Sequence, residues 1–170
     1  MGSVKGDLRV NGITLEDVWL KSDILRSAFE EYRECLKEVQ GNFAYLFECS
    51  AGRDGQFEVK LGEFPDDQMQ LRRNLFSTLF QSVYHILEIE PARRILYGQI
   101  NHLFRIWVTS ADNLLDKEDK VVLPIELPGR SHVMHQVVAV MAADRVLAKI
   151  LHEAVSDRRI SDIFFSGRTK

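Results

Sequence analysis

The sequence PARRILYGQINHLFRIWVTSADNLLD, which spans residues 91 to 116, decides the fold. Pro91 stands where a helix can begin, because the first turn of a helix does not use the amide hydrogen that proline lacks. The apolar residues after it are spread nearly all round a helical projection, and they are Ile95, Leu96, Ile100, Leu103, Phe104, Trp107, Val108, Ala111, Leu114 and Leu115. Such a helix is typical of the centre of a bundle rather than its surface. The segment therefore predicts a long central helix that ends near Asp116.

The segments before this helix also have the period of amphipathic helices. Thr14 and Asp17 resemble a capping box, and the apolar stripe after them predicts one long helix with a bend at Gly41. The stripe consists of Val18, Leu25, Phe29, Tyr32, Leu36, Val39, Phe43 and Leu46. Pro65, followed by two aspartates, predicts the start of a second helix. Its apolar stripe consists of Leu71, Leu75, Phe76, Leu79, Phe80, Val83, Ile86 and Leu87.

A fourth helix follows a connector, residues 121–129, which contains two prolines and a glycine. Its apolar residues are Val133, Val137, Val140, Met141, Leu147, Ile150 and Leu151. Residues 57–61 favour a short extended piece, and no long strand pattern occurs. The predicted fold class is therefore all-α, an antiparallel helical bundle.

The composition excludes several classes of protein. Of the 170 residues 45% are apolar, and the formal net charge is -3, which favours a folded core and argues against a nucleic-acid binder. Cys35 and Cys49 form no Cys-x-x-Cys pair and lie in a helical pattern, so we expect two buried free thiols rather than zinc or a disulfide. There is no run of ~20 apolar residues, and the first residues lack the apolar run of a signal peptide. These features predict a cytoplasmic protein without a transmembrane segment.

The end of the predicted central helix is strongly acidic. Asp112 and Asp116 are four residues apart and leave one face of the helix, and Glu118 and Asp119 follow within a turn. Like charges at this spacing repel each other, and the C-terminal end of a helix is unfavourable for anions. A divalent cation would offset both penalties, since magnesium binds one or two carboxylates together with water and phosphate oxygens. The alternative is that the helix emerges into solvent here and the charges mark its exit.

Neighbouring residues favour a site at this position. Arg105 and Thr109 continue the polar strip of Asp112 and Asp116 along the helix, and Asn113 adds a further candidate oxygen ligand. A calcium-binding EF-hand is excluded, because the segment lacks the alternating acidic positions and the turn glycine of that loop.

Other polar residues leave two interpretations open. His132 and His135 are three residues apart near a helix start, a spacing that can chelate a metal, but no third ligand is evident, so we interpret them and His102 as surface or hydrogen-bonded histidines. The short basic pairs either bind phosphate or belong to solvated helix faces. These pairs are Arg72-Arg73, Arg93-Arg94 and Arg158-Arg159.

Two motifs together resemble a known family. Asp112-Asn-Leu-Leu-Asp116, at the end of a long apolar helix, resembles the first aspartate-rich motif of trans-isoprenyl diphosphate synthases, which belong with the class I terpenoid synthases. Downstream, residues 137–147 (VVAVMAADRVL) resemble the helix that follows this motif in that family. Asp144 lies 32 residues after Asp112, a separation similar to the family's. The resemblance covers about residues 90 to 155.

The resemblance implies a function. In that family carboxylates hold magnesium ions, which bind the diphosphate of an allylic isoprenoid substrate and assist its ionisation. Carried over, the metal ligands are Asp112 and Asp116, with Asp119 beside them. Arg105, Asn113 and Asp144 are the corresponding candidates for substrate binding, and the chain is expected to form a homodimer.

The chain carries one aspartate-rich motif, whereas the family uses two. The family's Arg-Arg-Gly does not follow the motif, and members of the family are nearly twice as long. We therefore expect residues 1–170 to be a single helical domain that forms the N-terminal portion of an isoprenoid synthase-like transferase. The alternative is a non-catalytic helical interaction protein that retains the scaffold only.

Overall fold

A computed structural model describes residues 9–10, 13–14, 19, 21–50, 59–127, 129 and 131–154. The helices are α1 (Asp23–Ser50), α2 (Leu71–Ile86), α3 (Pro91–Asp116) and α4 (His132–Ala154), and a short 3-10 helix (Asp66–Met69) precedes α2. Strand β1 (Arg9–Val10) pairs antiparallel with β2 (Ile13–Thr14), and β3 (Lys60–Leu61) pairs antiparallel with β4 (Ile125–Glu126). The predicted all-α class is confirmed.

Helix α3 begins and ends where its sequence predicts. Pro91 occupies the first turn, and Lys117 follows the last turn with a left-handed backbone, φ 56°. The amides of Lys117 and Glu118 both donate to the carbonyl of Asn113, Glu118 at 2.9 Å. This left-handed ending satisfies carbonyl groups that the helix leaves unpaired.

Helix α1 begins later than its sequence pattern predicts. Thr14 lies in β2, where it pairs with Arg9, and Asp17 lies outside the described residues. Ser22 precedes the helix, and its hydroxyl accepts a hydrogen bond from the amide of Leu25 at 3.4 Å. Serine is a preferred helix cap, so this residue accounts for the observed start. The helix continues through Gly41 without interruption.

The main apolar core lies between α1, α3, α4 and the β3–β4 pair. Leu61 and Ile125 of the strand pair contribute to it, and the amide of Gly62 donates to the carbonyl of Pro124 at 2.7 Å. The pair therefore closes one side of the core. The buried members are Val39, Phe43, Phe47, Leu103, Ile106, Leu123, Ile125, Ala139, Ala142, Ala143, Val146 and Ile150.

Helix α2 turns its polar face, not its apolar stripe, toward the interior. Its buried residues are Asn74, Ser77, Thr78, Gln81 and Ser82. The apolar stripe that its sequence shows lies outward instead, with Phe76, Leu79, Phe80, Val83 and Ile86 exposed. A periodic stripe usually marks the core face of a helix, so α2 inverts the usual arrangement.

A hydrogen-bond network satisfies this buried polar face. Glu31 of α1 accepts hydrogen bonds from Gln81 at 2.6 Å and from Arg94 Nη2 at 2.8 Å, and its Oε1 lies 3.1 Å from His85 Nε2. Burial alone would raise the pKa of Glu31, but the hydrogen bonds from Arg94 and Gln81 and the charges of His85 and Arg94 lower it below its ordinary value. Each polar group of this network has a hydrogen-bond partner, and these bonds compensate for the water that the group loses on burial.

Helix α3 is buried on one side only. Leu103 and Ile106 are in the core, whereas Phe104, Trp107 and Val108 are about half exposed. The expectation of a helix buried at the centre of the bundle is therefore wrong, because no part of the described chain covers its second apolar face. No helix of the described residues is long and apolar enough to cross a membrane.

The two cysteines differ in their environments. Cys35 is buried, as expected, but Cys49 is exposed, so the expectation of two buried thiols holds for the first alone. Burial and, to a smaller extent, the charges of Glu31 and Glu38 together raise the pKa of the Cys35 thiol to about 12. A thiol that stays protonated is a poor nucleophile, so Cys35 is a packing residue.

Candidate functional site

The predicted magnesium ligands lie at the exposed end of α3. Asp112 and Asp116 are both exposed. In the part of the chain that the structure describes, no three His, Cys, Asp or Glu side chains are grouped as a metal site would require. Lys120 donates to Glu118, and its pKa is raised by that hydrogen bond and further by the charges of Glu118, Asp116 and Asp112. A lysine therefore already offsets part of the repulsion within the acidic segment.

The buried Asn113 has a structural role in the connector between α3 and α4. Its Nδ2 donates to the carbonyl of Lys120 at 3.1 Å and to Oε1 of Gln136 at 3.4 Å. Gln136 donates to the same carbonyl at 2.9 Å. These bonds hold the start of the connector against both helices, so the amide of Asn113 is already engaged.

The other two acidic candidates also lie apart from each other. Asp119 is exposed, and its Oδ1 lies 3.1 Å from Nδ1 of His132. Asp144 is exposed on α4. The structure therefore leaves the carboxylates on separate exposed positions and does not bring together the six predicted residues, Asp112, Asp116, Asp119, Arg105, Asn113 and Asp144.

A cavity of about 690 Å³ lies between the 3-10 helix, the start of α2, α3 and the connector. Arg105 is the one predicted substrate-binding residue in its lining. The polar lining residues are Gln68, Arg73, His102, Arg105, Thr109 and Lys120, and the remaining lining consists of Pro65, Ile106, Val121, Val122 and Pro124. Its charged lining residues are all basic, and its volume lies in the range of small-molecule sites.

Arg105 is half-buried in the wall of this cavity. Its Nη1 donates to the carbonyl of Arg73 and to Oδ1 of Asn74, each at 3.2 Å. Among the described residues, Arg105 has no ion pair with a carboxylate. Both oxygen atoms that it contacts are uncharged, so its positive charge is not neutralised.

His102 lies at the inner end of the cavity. It is 2% exposed, and its Nδ1 lies 3.2 Å from the hydroxyl of Tyr32. Burial and, to a smaller extent, the charge of Arg105 together lower the pKa of His102 to about 3. The imidazole is therefore neutral at ordinary pH, as expected of a hydrogen-bonded histidine.

A second feature is a large apolar surface on the opposite side of the core. One groove of about 290 Å³ is lined by Phe80 and Tyr84 of α2 and by Ile100 and Phe104 of α3. The outward sides of these two helices therefore form a continuous surface. We call this surface the apolar face. Its exposed members are Phe76, Leu79, Phe80, Val83, Ile86, Leu87, Phe104, Trp107, Val108, Leu115, Val133, Met134, Val137 and Met141.

No protein-family model, no curated protein and no solved structure matches this chain.

Sequence reasoning finds part of the cavity. The polar strip of Arg105 and Thr109 on α3 leads to it, and the pair Arg72-Arg73 is a candidate for phosphate binding. Two further lining residues are Lys120, which directly precedes the connector, and His102, which lies on α3. Nothing in their local spacing signals that they meet Arg73, because the meeting depends on how the connector folds back.

Proposed function

We propose that this protein is a helical interaction module that assembles with a second copy of itself through the apolar face of α2, α3 and α4. The observation that supports the proposal is the exposure of fourteen large apolar side chains, each between 36% and 80% exposed. A monomer rarely leaves a contiguous apolar patch of more than a few hundred Å² in contact with water. A partner that covers this face would remove the unfavourable exposure.

The apolar face is large enough for a stable dimer. With aromatic side chains of ~150–250 Å² each and smaller aliphatic ones, the exposed fractions correspond to an apolar area on the order of 1,000 Å². A standard interface buries ~800 Å² on each partner. One copy of the chain therefore offers about the area that a dimer requires.

Two contacts define how the helices are aligned across this face. The rings of Tyr84 and Tyr97 lie 5.5 Å apart, and Phe80 lines a groove with Phe104, so α2 runs antiparallel to α3 and Phe76 lies near the level of Phe104. Asn113 bonds Gln136, and residues before Asn113 share the main core with residues after Gln136, so α4 also runs antiparallel to α3.

The second alignment places Leu115 level with Met134 and Val108 level with Met141, since both helices rise equally for each residue. The exposed apolar side chains of α3 and α4 therefore lie at matching levels along two neighbouring helices.

This surface is suited to a symmetric pairing. Most homodimers have twofold symmetry, in which the same surface is used by both copies. A twofold axis perpendicular to the helices at the level of Val108 and Met141 brings the level of Asp112 in one copy to the level of Arg145 in the other. The two opposite charges that border the apolar residues of α3 and α4 then lie at the same level on neighbouring helices of the two copies, an arrangement that favours attraction across the interface.

The oligomeric state tests the proposal. Sedimentation equilibrium of the full chain is expected to show a dimer, and Val108→Arg is expected to shift it to monomer, because a charge at the centre of an apolar contact cannot be solvated. Glu48→Arg, an exposed change on α1 outside the apolar face, is the matched control and should leave the dimer intact. A wild-type monomer at all concentrations, or equal loss in both variants, would contradict the proposal.

The magnesium-dependent isoprenoid enzyme remains the second candidate. The observation that favours it is that Asp112 and Asp116 are exposed on one face of the last turns of α3, and neither has an ion pair among the described residues. Calorimetric titration with a non-hydrolysable farnesyl diphosphate analogue, with and without magnesium, tests it. Binding that requires magnesium and disappears in Asp112→Ala/Asp116→Ala would support this function, and its absence would exclude chemistry by this chain alone.

A further inference from the structure

We propose that the cavity beside Arg105 binds a small organic molecule that carries an oxyanion, a phosphate or a carboxylate, on an apolar body. The proposal rests on the cavity and its charges and is independent of the assembly through the apolar face.

The charges of the cavity lining do not balance within the lining itself. Three lining residues, Arg73, Arg105 and Lys120, are basic, and no lining residue is acidic. Arg73 pairs with Asp67 at 2.6 Å, and Lys120 pairs with Glu118, so these two cations have partners outside the lining. Arg105 has no carboxylate partner in the described chain and therefore leaves the cavity with a net positive charge.

The half-buried guanidinium of Arg105 is unfavourable without a compensating partner. Withdrawing a guanidinium from water is unfavourable unless an anion or several hydrogen bonds compensate. Arg105 keeps two hydrogen bonds through Nη1, to uncharged oxygen atoms of Arg73 and Asn74. Its remaining donors are free to bind an oxyanion, and the planar guanidinium suits two parallel bonds to a phosphate or carboxylate.

Neutral hydrogen-bonding groups lie in the lining together with Arg105. His102 is buried and lines the cavity, and its Nδ1 is engaged by Tyr32. In the tautomer in which the Tyr32 hydroxyl donates to Nδ1, the other ring nitrogen carries the hydrogen and can donate it to a ligand. The hydroxyl of Thr109 is also in the lining. Together with Arg105 these groups provide several donors for one group of oxygen atoms.

The apolar part of the wall and the volume of the cavity indicate what the anionic group of the ligand is attached to. Ile106, Val121, Val122 and two prolines form the apolar part of the wall. A volume of about 690 Å³ exceeds the need of inorganic phosphate and falls in the range of metabolite-sized sites. The ligand therefore combines an anionic head with an apolar body.

The experiment is a calorimetric titration of the full chain with three probes of equal chain length, hexyl phosphate, hexanoate and hexanol. At least one anion is expected to bind clearly better than hexanol, and the better of the two anions identifies the head group. Removal of a charge-assisted hydrogen bond in Arg105→Gln should weaken that anion by about tenfold or more. Arg72→Gln is the matched control, because Arg72 neighbours Arg73 but is exposed and is not part of the lining.

Three results would overturn the proposal: no binding of either anion to the wild type, binding of hexanol as tight as both anions, or equal losses in Arg105→Gln and Arg72→Gln. Lys120→Gln, which changes an exposed side chain, provides a second variant if Arg105→Gln does not fold, and it is expected to weaken the anion severalfold. The nuclear magnetic resonance signals of the His102 ring should shift with the anion and not with hexanol. Unchanged His102 signals at saturation would place the anion elsewhere.

Discussion

Gly98 allows α3 to approach α1 at Cys35. A Cβ atom at this position would lie 2.5 Å from the sulfur of Cys35 and 3.0 Å from Oε1 of Gln81, both too close for van der Waals contact. We expect Gly98→Ala to lower the free energy of unfolding by about 1–3 kcal/mol in urea denaturation, because the neighbours are buried and have to shift. Gly41→Ala is the control, since nothing lies within 4 Å of its Cβ position.

Alanine is the better helix former, so Gly41→Ala should stabilise the protein by up to about 1 kcal/mol. If both substitutions stabilised the protein equally, the close approach of the two helices at Gly98 would be refuted.

His102 makes the stability depend on pH. Its pKa is about 3 in the folded chain and near its ordinary value of 6.5 when unfolded, so the unfolded state binds the additional proton. The stability associated with the neutral His102 is fully present above pH 6.5. As the pH falls from there toward 3, the free energy of unfolding decreases by up to about 1.4 kcal/mol for each pH unit. Urea denaturation between pH 7.5 and 4 measures this slope.

The comparison with His102→Gln isolates this residue, because Glu31, whose lowered pKa also reduces stability in acid, is present in both proteins. The variant should be less stable than the wild type at pH 7 and lose less stability on acidification. Parallel curves for the two proteins would show that the pKa of His102 is not lowered in the folded chain.

At the scale of the elements, the sequence predicts the start of α3 but does not predict which face of a helix is covered. Pro91 marks the start of α3 correctly, because the local chemistry of the first turn determines where this helix begins. The inward side of α2 depends instead on Glu31 and Arg94, which belong to two other helices. No periodic pattern within α2 contains that information.

The same limit applies to the candidate site. The spacing of Asp112 and Asp116 shows that they share a face of α3, but it does not show what that face meets. Arg105 and Thr109, on the same strip, meet a cavity, whereas the two aspartates are exposed beyond it.

The inverted face of α2 leads to a prediction about paired substitutions. Gln81 is 1% exposed and donates to Glu31 and to the carbonyl of Arg94, whereas Phe80 is 56% exposed. We expect Gln81→Leu to lower the free energy of unfolding by about 1–3 kcal/mol, because its buried partners lose a donor. Phe80→Gln should change it by less than about 0.5 kcal/mol when measured at protein concentrations that favour the monomer. A larger cost for Phe80→Gln would place the apolar stripe inside the bundle.

At the scale of the whole molecule, two unlike layers pack against the buried side of α3. The main apolar core lies on one side, and a polar layer of Glu31, Gln81 and Arg94 joins α1 and α2 to it. Apolar side chains that a larger core would bury are consequently left on the outer side. This distribution explains why the same molecule has buried polar residues and a large exposed apolar face.

The symmetric dimer can be tested by exchanging charges. Asp112→Arg and Arg145→Asp should each weaken the dimer by roughly two- to fivefold at low salt, the range for a pair near the rim of an interface. The double variant should regain most of the affinity, because opposite charges again lie at the same level on neighbouring helices of the two copies. Sedimentation equilibrium at low and high salt measures the dissociation constants, and Asp66→Arg, an exposed change on the 3-10 helix, controls for net charge. If the double variant were as weak as the two losses combined, the copies would pair in a different alignment, and the axis at Val108 and Met141 would be wrong.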